Sequence, residues 1–328
     1  MELKKLLPLP LIVGIFIISC KKSDSTSNLA SQGNTVYVVG DYNDSAVYWK
    51  NGIRMGLSPG NAFDIAISGN DVYILGLKNF SSVVYWKNGI EVALPVKKNG
   101  AINPYVTSNK IAVSGSTVCV LNGNVYWING IEVPLEKTNG FCTTTGIAIS
   151  GNVVYVSGYC TGLQDTAVYW INGKRQDVST PALTSDIKVV GDKIYIAGTI
   201  ETPSLHSLGN AYHACYWENG TANVLDSLDD FSDGDGIAIS NSNIFALASE
   251  NGVVSVYKKS DNSTLPIELY SNYYPMYRTL TSVGEDVYVA GYVISGNPDN
   301  ITYACYWKNQ KITVLEKYGR AYKMSVGN

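Results

Sequence analysis

Apolar and polar residues alternate along most of the chain, in short segments separated by glycine and asparagine. A period of two, with frequent valine, isoleucine and tyrosine, predicts β-strands rather than helices. One segment, Val83-Val-Tyr-Trp-Lys-Asn-Gly89, recurs in seven copies, and the sixth copy is degenerate (Ser255-Val-Tyr-Lys-Lys-Ser260). The copies begin at residues 46, 83, 124, 167, 214, 255 and 304.

A second motif recurs in phase with the first. Ile65-Ala-Ile-Ser-Gly69 leads into Asp71-Val-Tyr-Ile-Leu-Gly76, and similar pairs precede the later copies. Each repeat therefore contains four short strands, which we call A, B, C and D. Gly-Asn and Asn-Gly between strands predict tight hairpins. Four antiparallel strands per repeat are typical of a propeller blade, so the predicted fold is all-β, a seven-bladed β-propeller.

The two ends of the repeat region are complementary. The first repeat begins at strand B (Thr35–Gly40), and the C-terminus supplies a lone strand A (Tyr322–Val326). We expect the two to share one blade and close the ring, which would remove a free sheet edge. The recurrent aromatic residue of strand C is expected to pack between blades. It is Trp49, Trp86, Trp127, Trp170, Trp217, Tyr257 and Trp307.

The N-terminus has the pattern of an export signal. Lys4 and Lys5 precede the apolar stretch Leu6–Ile18, which is short for a membrane span. Ile17-Ile-Ser-Cys20 resembles a bacterial lipobox, which implies cleavage before Cys20 and lipidation of its thiol. The alternative is an ordinary signal peptide with a chance cysteine. The predicted domains are a signal peptide (1–19), the lipidated cysteine with a flexible tether (20–33) and the propeller (34–328).

No later segment is long and apolar enough for a membrane helix, so we expect membrane contact through the lipid only. Lys21, rather than aspartate, follows Cys20. By analogy with lipoproteins that lack an inner-membrane retention signal, this favours the outer membrane.

The Tyr-Trp-Lys-Asn-Gly repeats resemble those of a family of uncharacterised bacterial lipoproteins and secreted proteins, notably from Bacteroidota-type bacteria. The resemblance covers residues 35–328 and implies the propeller architecture, but no defined activity. The sixth repeat departs from the pattern and is expected to form the loosest blade.

Charge and cysteine content exclude several classes of partner. The net charge is −3 and there is no basic stripe, so nucleic acid is not expected to bind. With no C-x-x-C pair and two histidines, no structural zinc is expected, and no cofactor is predicted. Cys142 and Cys160 flank one A–B hairpin, and export would permit a disulfide between them. Cys119, Cys215 and Cys305 resemble small buried apolar residues.

Binding residues are expected at the end of the blades that carries the variable B–C and D–A connections, which we call the loop face. The opposite turn face has short, uniform turns. Tyrosines and charged residues before strand A are candidates for the mouth of the central channel. The alternative is a solvated rim. The candidates are Asp64, Lys110, Asp186, Asp235, Tyr273, Tyr274, Tyr277, Arg278 and Arg320.

Two further clusters have mainly ordinary explanations. His206 and His213 share one loop, but apart from Glu201 no carboxylate or cysteine is placed to complete a metal site, so ordinary loop histidines are favoured. Carboxylates crowd the loop before strand A of the sixth blade and suggest calcium, but the EF-hand spacing fails and a solvated acidic loop is favoured. They are Asp226, Asp229, Asp230, Asp233 and Asp235.

Three functions remain open. The favoured hypothesis is a non-catalytic recognition module of the cell envelope that binds a glycan or a protein. A structural or adhesin subunit is the second. The third is a glycan hydrolase or lyase that uses Asp64 with Asp186 or Asp235, since glycoside hydrolysis requires paired carboxylates. Neither a G-x-S-x-G motif nor the Ser-x-Asp-x-Gly-x-Thr-Trp box of sialidase-like propellers is present, so no enzyme is predicted.

Overall fold

The structure of the protein is a computed structural model. It describes residues 34–94, 109–136, 140–204, 210–225, 232–250, 253–267, 273–296 and 298–327, and the predicted signal peptide, Cys20 and tether lie outside these ranges. The described residues form 27 strands and no helix. Within these ranges, accordingly, no helix is long and apolar enough to cross a membrane.

The strands of the first half are β1 (Thr35–Tyr42), β2 (Ser45–Lys50), β3 (Ile53–Ser68), β4 (Asp71–Lys78), β5 (Ser82–Lys87), β6 (Ile90–Ala93), β7 (Lys110–Ser114), β8 (Thr117–Asn122), β9 (Val125–Ile128), β10 (Ile131–Pro134), β11 (Cys142–Ser150), β12 (Val153–Cys160), β13 (Thr166–Ile171) and β14 (Lys174–Ser179). Those of the second half are β15 (Ala182–Val190), β16 (Lys193–Pro203), β17 (Asn210–Glu218), β18 (Thr221–Val224), β19 (Ser232–Ser240), β20 (Asn243–Glu250), β21 (Val253–Lys258), β22 (Ser263–Pro266), β23 (Tyr273–Val283), β24 (Asp286–Ser295), β25 (Thr302–Lys308), β26 (Lys311–Lys317) and β27 (Gly319–Gly327).

These strands form four-stranded antiparallel blades in a propeller arrangement. Five blades are separate four-stranded sheets: β7–β10, β11–β14, β15–β18, β19–β22 and β23–β26. The other seven strands form one sheet in the order β27-β1-β2-β3-β4-β5-β6. The structure therefore differs from the predicted set of seven separate blades.

Strand β3 is the reason for the difference. Its first part pairs with β2 as far as Pro59, and its second part pairs with β4 from Gly60 onward. Gly60 has a φ of +128°, and a Cβ atom there would lie 1.9 Å from the carbonyl oxygen of Leu77. Only glycine fits this backbone, so it allows one continuous strand to change partners without a loop.

The first and last strands of the described region are neighbours. β27 pairs with β1 in antiparallel register, from Thr35 opposite Gly327 to Tyr42 opposite Gly319. The A strands, which we call the inner strands, contact one another in the order β27, β3, β7, β11, β15, β19, β23, and β23 also contacts β27. These contacts run along the inner side of the propeller arrangement.

The repeated Asn-Gly dipeptide forms the C–D turns. In the turn after β5, Asn88 and Gly89 have φ values of 52° and 81°, as a type I′ hairpin requires. The Asn88 side-chain oxygen accepts a hydrogen bond from Val72 N–H in strand B at 2.9 Å. Equivalent bonds are made by Asn51, Asn129, Asn172, Asn219 and Asn309. The asparagine therefore links each turn to the neighbouring hairpin.

The tryptophans are buried between blades, as predicted. All six are at most 2% exposed. Trp170 belongs to the β11–β14 blade and packs with Cys119 and Leu121 of the preceding blade. A Cβ atom at Gly158 would lie 2.9 Å from Trp170 Cζ3, and Gly76 and Gly198 lie equally close to their own tryptophans. The glycine of strand B thus provides space for the indole.

Candidate functional site

A charged cluster lies on the inner strands. The buried residues Ile65, Ile111, Ile187 and Met324 point into the blades. Because side chains alternate along a strand, the residue before each one points toward the axis. These residues are Asp64, Lys110, Asp186 and Lys323. With Lys188, two positions after Asp186, they form what we call the inner cluster.

The two carboxylates of the inner cluster are held by backbone groups. Asp64 accepts hydrogen bonds from its neighbour Ile65 N–H at 2.9 Å and from Ile111 N–H of the next blade at 2.8 Å. Asp186 accepts one from Ile187 N–H at 2.9 Å and forms an ion pair with Lys188 at 2.7 Å. Asp64 thereby joins β3 to β7.

The cluster residues interact electrostatically across the axis. Burial alone would raise the pKa of Asp186, but Lys188, Lys323 and Lys110 outweigh it and lower the pKa to about 2. Burial also lowers the pKa of Lys110, and Lys323 lowers it further. For Lys323, burial is outweighed by Asp186 and Asp64, which raise its pKa. The cluster is therefore an electrostatic unit drawn from four strands.

Two predicted residues do not occupy the position equivalent to Asp64. The inner strands bulge by one residue, between Ala62 and Asp64 in β3 and between Gly234 and Gly236 in β19. The positions equivalent to Asp64 are therefore Gly236 in β19 and Thr279 in β23, not Asp235 and Arg278. Asp235 is exposed, and the Arg278 side chain lies outside the described set.

Arg320 belongs to a second group on the loop face. Tyr322 Oη donates a hydrogen bond to Asp41 at 2.5 Å, and Asp41 is only 7% exposed. Burial raises the pKa of Asp41 above its usual range. The Arg320 guanidinium lies 6.0 Å from the ring centre of Tyr292. This cation–aromatic contact, unlike the inner cluster, is open to solvent because Arg320 is exposed.

The remaining candidates are described only in part. Tyr273, Tyr274 and Tyr277 lie on β23, opposite β24, but their side chains are outside the described set. His206 also lies outside the described ranges, as do Asp226, Asp229 and Asp230. His213 Nε2 lies 3.0 Å from Thr202 Oγ1. The described residues contain no group of three or more histidine, cysteine or acidic side chains that could hold a metal ion.

A disulfide joins Cys142 and Cys160, which face each other across β11 and β12. The adjacent side chains are unusually open for apolar residues: Phe141 is 71% exposed and Leu163 is fully exposed. Thr161 N–H donates a hydrogen bond to the Phe141 carbonyl oxygen at 2.8 Å. The disulfide therefore cross-links the two strands from which Phe141 and Leu163 extend at the loop face. The free thiols of Cys119, Cys215 and Cys305 are buried, as predicted.

The described cavities are modest and lie between blades. One of about 420 Å³ lies near the turn face, where Tyr73, Lys87 and Trp127 line it. Another of about 190 Å³ lies near the loop face, beside Phe141, Cys142 and Trp170.

Comparison with known proteins gives weak similarities. No protein family and no curated protein matches the sequence. The extracellular domain of a hybrid two-component system from Bacteroides thetaiotaomicron matches at 11% identity and a TM-score of 0.45, over 79% of this chain and 37% of that one. This chain thus spans under two fifths of that domain.

Two other solved structures are similar over most of their length. A chain of the nidogen/laminin complex matches at 10% identity and a TM-score of 0.44, over 89% of this chain and 98% of that one. U3-55K matches at 11% identity and a TM-score of 0.47, over 86% and 84%. Similarities at this level transfer neither a partner nor an activity.

Proposed function

We propose that this protein is a non-catalytic recognition module of the cell envelope, which binds a glycan or a protein through its loop face. The observation that carries the proposal is the distribution of exposed aromatic side chains. Among the described residues, the four most exposed aromatic side chains all lie at the loop face. They are Phe80 (43%), Phe141 (71%), Tyr212 (37%) and Tyr318 (53%).

Exposed aromatic side chains on a rigid scaffold suit recognition. Their rings offer a large apolar area with few rotatable bonds, which lowers the entropic cost of binding. The loop face also carries Leu163, which favours a protein partner, and the Arg320–Tyr292 contact, which suits a polar sugar. The exposed aliphatic side chains Ile53, Ile90 and Ile131, by contrast, begin D strands at the turn face.

The inner carboxylates are poorly suited to glycoside hydrolysis. A general acid requires a pKa near the working pH, but the pKa of Asp186 is lowered to about 2. Asp64 already accepts two backbone hydrogen bonds. These contacts support a binding role over a catalytic one.

The proposal includes a closed ring of seven blades. In this ring, the seven-stranded sheet provides two blades, and both include part of β3. The blade that contains β1 and β2 is completed by β27. The pairing of β27 with β1 and the contacts between successive inner strands support this interpretation. It also retains membership of the family of Tyr-Trp-Lys-Asn-Gly lipoproteins, on the strength of the repeats.

The proposed location is the outer membrane, through lipid on Cys20. A Cys20→Ser chain is expected to leave the membrane fraction while the unaltered chain stays in it. An unaltered distribution between the two fractions would remove the anchor from the proposal.

The test of recognition uses the full chain purified in detergent. A panel of polysaccharides is added, and the melting temperature and released reducing ends are measured in the same samples. We expect at least one glycan to raise the melting temperature without releasing product. Phe141→Ala or Tyr318→Ala should weaken the effect, whereas Ile90→Ala, an exposed residue of the turn face, should not.

Other results would redirect the proposal. Released reducing ends would contradict the non-catalytic role. No effect of any glycan, together with capture of an envelope protein that depends on Phe141 and Leu163, would identify the ligand as a protein. If neither glycan nor protein binds, a structural subunit becomes the better description.

A further inference from the structure

The first residue of strand D differs in character around the turn face. It follows the C–D turn directly and lies opposite the last residue of strand C in every blade. In β3, β6 and β10 it is Ile53, Ile90 and Ile131. In the later blades it is Lys174, Thr221, Ser263 and Lys311. One side of the turn face is therefore apolar at a position where the other side is polar.

The three isoleucines are open to solvent. Ile53 is 69%, Ile90 73% and Ile131 69% exposed, and Met55, two residues after Ile53 on β3, is 44% exposed. Single exposed apolar side chains are common on protein surfaces. Here, however, they recur at one position on three successive D strands, and grouped exposed apolar side chains mark a binding surface.

The strands that carry the isoleucines are neighbours. β3 and β6 belong to one sheet, and β3 contacts β7 of the next blade. Val92 and Ala93 of β6 line the cavity of about 420 Å³ together with Asn129 and Gly130, which form the turn into β10. Ile53, Ile90 and Ile131 therefore occupy one side of the turn face, and we call them the isoleucine row.

The chain enters the propeller at the same face. β1 begins at Thr35, and Val36 pairs with the turn that precedes Ile53. Val36 N–H donates a hydrogen bond to Asn51 Oδ1 at 2.8 Å, and Asn51 N–H donates one to the Val36 carbonyl oxygen at 2.8 Å. The chain from Cys20 to Thr35 spans at most about 50 Å. Lipid on Cys20 would therefore hold the turn face, rather than the loop face, toward the membrane.

Lysines accompany the isoleucine row. Lys50 lies opposite Ile53, and Lys87 lies opposite Ile90. Lys50 is exposed, whereas Lys87 pairs with Asp71 at 2.7 Å. Isoleucine beside lysine suits the boundary between lipid headgroups and acyl chains, because the apolar side chain can enter the acyl region while the ammonium group stays among anionic headgroups.

We propose that the isoleucine row docks on the phospholipid bilayer, as a second contact in addition to the lipid expected from the sequence. The inference rests on the proposed anchor. A few isoleucines alone bind a bilayer weakly, whereas an anchored chain keeps them at a high effective concentration beside it. Docking would direct the loop face away from the bilayer, toward its ligand.

The experiment measures membrane depth at single labelled positions. The full chain, purified in detergent, is reconstituted into vesicles of phosphatidylethanolamine and phosphatidylglycerol. Ile90→Cys carries an environment-sensitive fluorophore, and its quenching by spin-labelled lipid is measured. Leu163→Cys at the loop face and Thr221→Cys, at the equivalent position of β18, are the matched controls. We expect quenching about threefold or more stronger at residue 90 than at either control. The native free thiols are buried and should remain unlabelled.

A second variant separates docking from an effect of the label. Ile53→Ser/Ile131→Ser removes two apolar side chains of the row and should reduce quenching at residue 90 by about half or more, while the chain still floats with the vesicles. Phe141→Ser, which alters an exposed residue of the loop face, should leave that quenching unchanged. All three residues are exposed, so the melting temperature in detergent should change little.

Failure of docking and failure of the anchor give different results. A chain that floats with the vesicles but is quenched equally at residues 90, 163 and 221, or most strongly at residue 163, would overturn docking and retain the anchor. Quenching at residue 90 that survives Ile53→Ser/Ile131→Ser would also overturn it. A chain that does not float with the vesicles would remove the anchor and docking together. Loss of recognition at the loop face would leave these results unaffected.

Discussion

At the scale of single residues, the charge of Asp186 depends on its neighbours. The carboxylate is 14% exposed, yet the surrounding lysines keep it ionised. Replacing any one of these groups alters the others, because the charges of Asp64, Asp186 and Lys188 act on Lys110, and those of Asp64 and Asp186 act on Lys323. The cluster therefore links the stability of the fold to pH.

The lowered pKa of Asp186 predicts a defined loss of stability in acid. A carboxyl group whose pKa is lower in the folded than in the unfolded protein stabilises the fold at pH values above the unfolded pKa. This stabilisation is lost as the pH falls through the folded pKa. The window runs from the unfolded value, 3.8, to about 2. The loss is about 2.5 kcal/mol, at about 1.4 kcal/mol per pKa unit.

The contribution of Asp186 to stability is measured by urea unfolding of the unaltered chain and of Asp186→Asn, at a series of pH values from neutral downward. The difference between their free energies of unfolding should shrink as the pH falls, and parallel profiles would contradict it. Asp71→Asn is the control, since Asp71 forms an exposed ion pair with Lys87 at the turn face and should show a smaller change.

The disulfide between Cys142 and Cys160 should stabilise the fold through the chain it closes. The two residues are 18 apart in sequence, and loop-closure entropy for such a length is worth about 3 kcal/mol. Cys142→Ser/Cys160→Ser should lower the free energy of urea unfolding by about that amount. Dithiothreitol should lower that of the unaltered chain equally and leave the variant unchanged. A variant that still responds to reductant would contradict this account.

Only part of the inner cluster could be predicted from the sequence. Asp64, Lys110 and Asp186 each precede a buried isoleucine, so their position is visible in the repeat. Lys323 was missed because methionine replaces that isoleucine, although aligning Lys323-Met-Ser-Val with Asp64-Ile-Ala-Ile would have found it. The assignment to Asp235 and Arg278 was one residue out of register, because Gly236 and Thr279 are the residues that directly precede the buried Ile237 and Leu280.

At the scale of elements, β3 depends on the absence of a side chain at residue 60. Gly60→Ala should lower the free energy of unfolding by about 2 kcal/mol or more, because the added Cβ meets Leu77 O and φ is +128°. Gly56→Ala is the matched control on the same strand, since nothing lies within 4 Å of its Cβ position and its φ is ordinary. Equal stability of the two variants, measured by urea unfolding, would contradict the role given to Gly60.

The strands themselves were predictable, but their grouping into sheets was not. Alternation and the Asn-Gly turns identify each strand, since both depend on local residues. Pro59-Gly60 is a typical turn dipeptide. In the structure it lies within β3, because the two strands it would separate are already aligned by their partners β2 and β4. Tertiary pairing overrides the local preference.

At the scale of the whole molecule, the fold depends on contact between the ends of the repeat region. Thr35 lies opposite Gly327, so cysteines at these two positions should cross-link on mild oxidation. Val36→Cys with Gly327→Cys is the control, because adjacent strand residues face opposite sides. Non-reducing electrophoresis should show a faster band for the first pair only. Equal cross-linking of both pairs would contradict the register.

The shared strand also bears on how the molecule unfolds. Separate four-stranded blades share no ladder of backbone hydrogen bonds, and such arrays open locally, unit by unit. The strands from β27 to β6 are instead joined by one ladder of backbone hydrogen bonds. Disruption of either half must therefore spread into the other through β3. In hydrogen exchange, these seven strands would behave as one cooperative unit, while each four-stranded blade opens by itself.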